Sequence, residues 1–80
     1  MPQATPAQVT AFETDPAVAE LLKERVAARK EFDKEWTANW QSMAAHRAHM
    51  ALINVVNRLQ IKAAAHNLIL EDGILFQATN

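Results

Sequence analysis

Cysteine and tyrosine are absent from this 80-residue chain, glycine occurs once, at Gly73, and the three prolines all lie at or before Pro16. Each absence excludes something. Without cysteine there is no disulfide framework, no thiolate metal site and no thiol nucleophile. One glycine leaves no room for a glycine-rich phosphate loop, and no HExxH pattern is present. Acidic side chains are missing from Trp36 to Leu70, where the only full charges are Arg47, Arg58 and Lys62. Long apolar runs are missing as well. The most apolar stretch, Ala51 to Ile61, is interrupted by Asn54, Asn57 and Arg58 and falls short of the roughly 18 apolar residues of a membrane span. The N-terminus has no basic segment followed by an apolar one, so no secretory signal is expected and the expected location is the cytoplasm or a virion.

What remains is a helix former. Between Pro16 and Glu71 there is neither proline nor glycine, and Ala, Leu, Glu, Lys and Arg dominate. A chain of this length makes one domain at most and buries only about 60 to 65% of its unfolded surface, so a partner would relieve a marginal core. The expected class is all-α, with residues 1–80 as a single helical domain.

Thr5-Pro6-Ala7-Gln8 is a helix start, with Thr5 as cap, Pro6 where its missing N–H costs nothing and Gln8 placed to reach back to the cap. A short helix over 6–13 follows a flexible 1–5. Thr14-Asp15-Pro16 repeats the signal, with Asp15 as cap. From there the residues predict either a helical hairpin, with helices over 16–38 and 42–72, or one continuous coiled-coil helix. Unbroken, the stretch would be a rod of roughly 84 Å, too long for a compact globule and in need of partners along its length. In favour of a turn, Thr37 to Ser42 gathers residues that bond their own backbone; Asn39 tolerates a left-handed conformation and Ser42 caps a second helix. Gly73 is expected to end that helix in a left-handed conformation, with Ile74 touching Ile69, and to leave an apolar tail over 73–80 docked on a helix or on a neighbouring subunit.

At about 100° per residue, Val18, Leu21, Leu22, Val26, Phe32, Trp36, Trp40, Met43 and Met50 fall within an arc of roughly 140°. Glu20 to Glu35 otherwise carries five acids and five bases, the pattern of a solvated surface. Beyond Trp36 a second stripe, Leu52, Val55, Val56, Leu59, Ala63 and Leu70, lies about 150° from the first. A helix that is apolar on two sides must be covered on two sides. Trp36, Trp40, Met43, Arg47, Met50, Asn54, Asn57, Ile61, Ala64 and Leu68 also keep a strict 4,3 spacing, a coiled-coil seam in which the asparagines either fix register or lie on the one solvated edge of the helix.

These patterns favour a protein-binding role. The candidate interface is Leu52, Val55, Val56 and Leu59 on one side and Trp36, Trp40 and Met50 on the other. The expectation is a non-enzymatic, self-associating structural or assembly subunit of a larger complex, a phage particle being one example; an inhibitor or regulator of a host protein is the alternative. A third possibility is a nucleic-acid or small-ligand site in which bases stack on the tryptophans near Arg47, Arg58 and Lys62. Three cations over such a span are sparse, and the net charge of −1 does not favour phosphate binding. Met43, His46, His49 and Met50 have helical spacing for soft metal ligands, but methionines packed in a seam with histidines at its rim are the far commoner arrangement and the reading preferred here. No metal or cofactor is expected. Ser42, with His46 one turn away, has no orienting acid and reads as a cap, so no catalytic residue is assigned.

Overall fold

A computed structural model describes residues 1–78. Thr79 and Asn80, the end of the expected tail, lie outside the described residues. Three helices are followed by two strands: α1 (Pro6–Glu13), α2 (Pro16–Asn39), α3 (Met43–Ala65), β1 (Leu68–Glu71) and β2 (Ile74–Gln77). Each helix begins where its sequence signal stands. Thr5 and Gln8 form a reciprocal capping box, with Gln8 N–H donating to Thr5 Oγ1 (3.2 Å) and Thr5 N–H to Gln8 Oε1 (2.8 Å). Asp15 accepts from Ala17 N–H at 3.0 Å, and Ser42 from Ala45 N–H at 3.0 Å. These side chains satisfy amide groups that a helix N-terminus leaves without intrahelical partners.

The long helical stretch turns. Asn39 drives the turn through its side chain, which accepts from Gln41 N–H at 3.1 Å, while its carbonyl accepts from Ser42 N–H at 3.0 Å. It is not left-handed: among the described residues the non-glycine residues with positive φ are Asn67 and Asp72. α2 and α3 therefore lie antiparallel. Val18, Leu21, Arg25, Ala28, Phe32 and Glu35, spaced by threes and fours, form the buried or half-buried strip of α2; Ala45, Ala48, Leu52, Val55, Leu59 and Ala63 form that of α3. Alanines at the turn end let the helices approach closely. At the open end Phe12 of α1 joins Val18, Leu21, Val55, Leu59, Ala63, Leu68 and Leu70 in one core.

Four expectations need correction. The fold is mostly helical but not all-α, because the C-terminal segment is a β-hairpin, and the second long helix ends at Ala65 rather than near residue 72. Asn67, at φ 60°, is the left-handed residue that ends α3, a conformation asparagine tolerates better than most. Gly73 is left-handed, at φ 77°, but as the second residue of a two-residue hairpin turn after Asp72 at φ 51°, as a type I′ turn requires. Ile69 accordingly faces Phe76, and Ile74 faces Glu71, instead of Ile74 closing on Ile69. Leu68 and Leu70 point alternately inward to the core. Residues 2–4, where a free terminus was expected, lie along the outer edge of β2: Ala4 N–H donates to Leu75 O (2.9 Å) and Gln77 N–H to Pro2 O (2.8 Å).

Candidate protein-binding face

The two broad sides of the α2/α3 layer differ in chemistry. On one side Arg58 Nη2 meets Glu24 Oε2 at 2.9 Å across the helices, and Glu20, Lys23 and Glu31 lie exposed nearby on α2. Such exposed pairs contribute little to stability and mark a solvated surface. The other side is apolar toward both ends, with the exposed Arg29–Asp33 pair between them. At about 100° per residue it collects Leu22, Val26 and Trp36 from α2 and Trp40 at its C-cap, with Leu52, Ile53 and Val56 from α3.

Near the open end this side is concave. A groove of about 750 Å³ has Val26, Leu52, Val56 and Leu70 among its walls, with Arg25, Arg29 and Lys30 along its α2 edge and Gln60 on the α3 side. Val26 is 54% exposed, and Leu52 and Val56 are half-buried. Arg25 and Leu70 also line a smaller cavity of about 260 Å³ toward α1 and β2. Arg29 Nε lies 3.2 Å from Asp33 Oδ1, one turn further along the same face.

At the turn end the face rises into an aromatic ridge. Phe32 and Trp36 stack with centroids 5.2 Å apart, and Trp40 lies 6.1 Å beyond Trp36. His49 of α3 supports them from the side, 5.4 Å from Phe32 and 6.2 Å from Trp36. Trp36 remains 43% exposed and Trp40 60%. A large aromatic held by neighbours yet open to solvent loses little conformational entropy when covered, which is what an interface anchor needs.

The residues anticipated from sequence are divided by this geometry. Trp36, Trp40, Leu52 and Val56 share the apolar side. Val55 and Leu59 do not reach the surface: Leu59 is 0% exposed, and both belong to the core against α2. Both therefore drop out of the candidate interface. Met50 is exposed on the outer ridge of α3, away from α2, with Met43, Asn54, Asn57 and Ile61. That ridge carries most of the expected 4,3 seam, whose last member, Leu68, is instead buried in β1.

Arg47, Arg58 and Lys62 are not brought to the tryptophans. Arg58 is paired with Glu24 on the charged side, Lys62 lies half-buried next to the Asp15 end of α2, and Arg47 is exposed on the outer part of α3. The cations that border the apolar face are Arg25, Arg29 and Lys30; the helical count from sequence already sets Arg25 and Arg29 near the apolar stripe, and Lys30 among the solvated residues. Their signal was the 4,3 spacing of Leu22, Val26, Arg29, Asp33, Trp36 and Trp40 within α2. His49 turns toward the aromatics while Met43 and His46 stay exposed, and no three His, Asp or Glu side chains converge as metal ligands among the described residues.

No protein-family model matches the chain, and no curated protein or solved structure matches it significantly. Among the described residues no helix is long and apolar enough to cross a membrane.

Proposed function

We propose that this chain is a non-enzymatic helical module that works by binding protein, in the first place further copies of itself, as a structural or assembly subunit of a larger complex. One observation carries this reading: a single side of the α2/α3 layer presents Val26, Trp36 and Trp40 to solvent beside half-buried Leu52 and Val56, while the opposite side is covered with charge. Monomeric domains seldom leave a continuous apolar face with rigid aromatics uncovered. Of the polar groups of that face, Arg25, Lys30 and Gln60 border the groove and suit the rim of an interface, while Arg29 and Asp33 pair with each other on its midline. For a nucleic-acid platform the support is thinner, because Arg47, Arg58 and Lys62 face away from the tryptophans.

Sedimentation equilibrium at two loading concentrations a hundredfold apart tests the proposal. The expected result is a weight-average mass that climbs above that of one chain and is raised further by concentration. A mass fixed at one chain across the whole range overturns it.

A further inference from the structure

The apolar face has an internal order that points to its occupant. Along α2 the residues Leu22, Val26, Arg29, Asp33, Trp36 and Trp40 recur with intervals of four, three, four, three and four, which keeps them on one line of the helix. This line runs beside the strip buried against α3 rather than within it, and Val26, Arg29, Asp33, Trp36 and Trp40 are all exposed. Read from its two ends toward the middle, the line pairs unlike with unlike. Small aliphatic Leu22 and Val26 stand at one end, large aromatic Trp40 and Trp36 at the other, and a base and an acid flank the midpoint near Glu31.

We infer that two copies of the chain pack α2 against α2 in antiparallel fashion about a twofold axis level with Glu31. This rests on the self-association proposed above and specifies its geometry. In that arrangement Leu22 of one copy meets Trp40 of the other, Val26 meets Trp36, and Arg29 meets Asp33, each pair occurring twice as an isologous interface demands. The alternative parallel, in-register arrangement sets tryptophan on tryptophan, Arg29 on Arg29 and Asp33 on Asp33, with like charges directly opposed. An unrelated partner gives no reason for the second half of the line to complement the first.

The groove supports the same pairing. It opens beside Val26, so the indole of Trp36 from the second copy lies over Val26 and enters between Leu52 and Val56. Arg25 and Lys30 at the groove edge then flank the indole, a placement favourable for cation–π contact. From Leu22 to Trp40 the line is about 27 Å long. Leu52, Ile53 and Val56 of α3 contribute on its flank. The central Arg29–Asp33 quartet, built from side chains already paired within each free chain, sets orientation more than strength.

Charge exchange tests the register. Arg29→Asp and Asp33→Arg each place like charges opposite one another in a homodimer, so each variant alone is expected to dissociate about tenfold more readily by sedimentation velocity. Mixed together, the two variants restore opposite charges at both contacts, and a heterodimer within about threefold of wild-type affinity is expected. The double variant Arg29→Asp with Asp33→Arg should also recover. Both positions are exposed, so far-ultraviolet circular dichroism should show unchanged helix content. As a second measurement, mixing Val26→Cys with Trp36→Cys in equal amounts under oxidation is expected to give the mixed disulfide dimer well beyond the twofold excess over each symmetric one that random pairing produces, with no native cysteine to compete. If wild type self-associates but neither charge variant alone weakens the dimer and the mixed disulfide is not enriched beyond random pairing, the antiparallel register is overturned while the assembly role stands. If wild type is monomeric throughout, both fall.

Discussion

Asp15 and His66, 51 positions apart, meet at 2.9 Å between Oδ2 and Nε2 and close the open end of the helical hairpin. Asp15 is the N-cap of α2 and His66 the C-cap of α3, so one contact ties the start of one long helix to the end of the other. The edge of the His66 ring also meets Phe12, with centroids 5.6 Å apart, which brings α1 into the same junction. Above its own titration range the carboxylate has no proton to give, so the imidazole N–H donates. That hydrogen bond, with the Ala17 N–H and the nearby charges of His66 and Lys62, holds the Asp15 carboxyl below the usual carboxylate range. The folded chain thus favours the ionised form, the unfolded chain binds the proton more readily, and the stabilisation is lost as pH falls through the acid range below about 4. Asp15→Asn retains a good cap but not the charge. The expected outcome is a deficit in melting temperature for the variant at pH 7 that narrows progressively between pH 4 and pH 2. A deficit independent of pH would show that the charge is not what closes the junction.

Leu59 is fully buried among Val18, Leu21, Val55 and Leu70, where its removal leaves a void that the helices cannot readily collapse into. Leu59→Ala is expected to destabilise by about 2 to 5 kcal/mol. For a domain of this size that is most or all of the available stability. Ile61, two positions along the same helix, is 69% exposed, and Ile61→Ala is expected to change stability by less than about 0.5 kcal/mol. Urea unfolding followed by circular dichroism compares the two; similar midpoints would mean that α3 does not present Leu59 to α2.

The Asp72-Gly73 turn gives a cleaner test, because a Cβ added at Gly73 meets no atom within 4 Å. Any cost of Gly73→Ala therefore comes from the backbone at φ 77°, about 1 kcal/mol, and Gly73→Asn should cost less because asparagine tolerates this region. Thermal melts should rank Gly, Asn and Ala in that order of decreasing stability. Equal melts for all three would mean the turn is not left-handed.

Helix starts were legible because each rests on a local side-chain bond: Thr5, Asp15 and Ser42 carry the chemistry of a cap in their own residue types. The hairpin's strands were not. Leu68 and Leu70 continue the helical spacing of Ala63, and over four residues periods of two and of 3.6 cannot be separated. The decisive signal was Asp72-Gly73 between Leu68-Ile69-Leu70 and Ile74-Leu75-Phe76, a hairpin signature that outweighs helical phase. The candidate face was half legible for a related reason. Counting angle continuously through Trp40 to Ser42 assumes an unbroken helix, whereas the turn resets the phase. Tryptophans and methionines that coincide on one helical wheel thus part company, with Trp36 and Trp40 beside the groove and Met43 and Met50 on the outer ridge. Val55 and Leu59 were apolar enough for an interface, but the sequence could not say that α2 would cover them.

That separation of two exposed apolar surfaces yields a test of which one binds. Trp36, stacked on Phe32 and supported by His49, sits on the groove side; Met50 and Ile61 sit on the α3 ridge among Arg47, Asn54 and Asn57. Buried tryptophan anchors commonly cost 2 kcal/mol or more when truncated at an interface, about thirtyfold in affinity. Trp36→Ala is accordingly expected to weaken self-association by about that factor, while Met50→Ala and Ile61→Ala leave it within about twofold. Tryptophan emission supplies an independent readout, since Trp40 remains in all three variants. It should shift to shorter wavelength with rising concentration in wild type and in the two ridge variants, and stay put in Trp36→Ala. If the ridge variants dissociate and Trp36→Ala does not, the working surface is the outer seam of α3, where Met43, Met50 and Ile61 would meet their partner between polar layers, and the groove face is left to solvent.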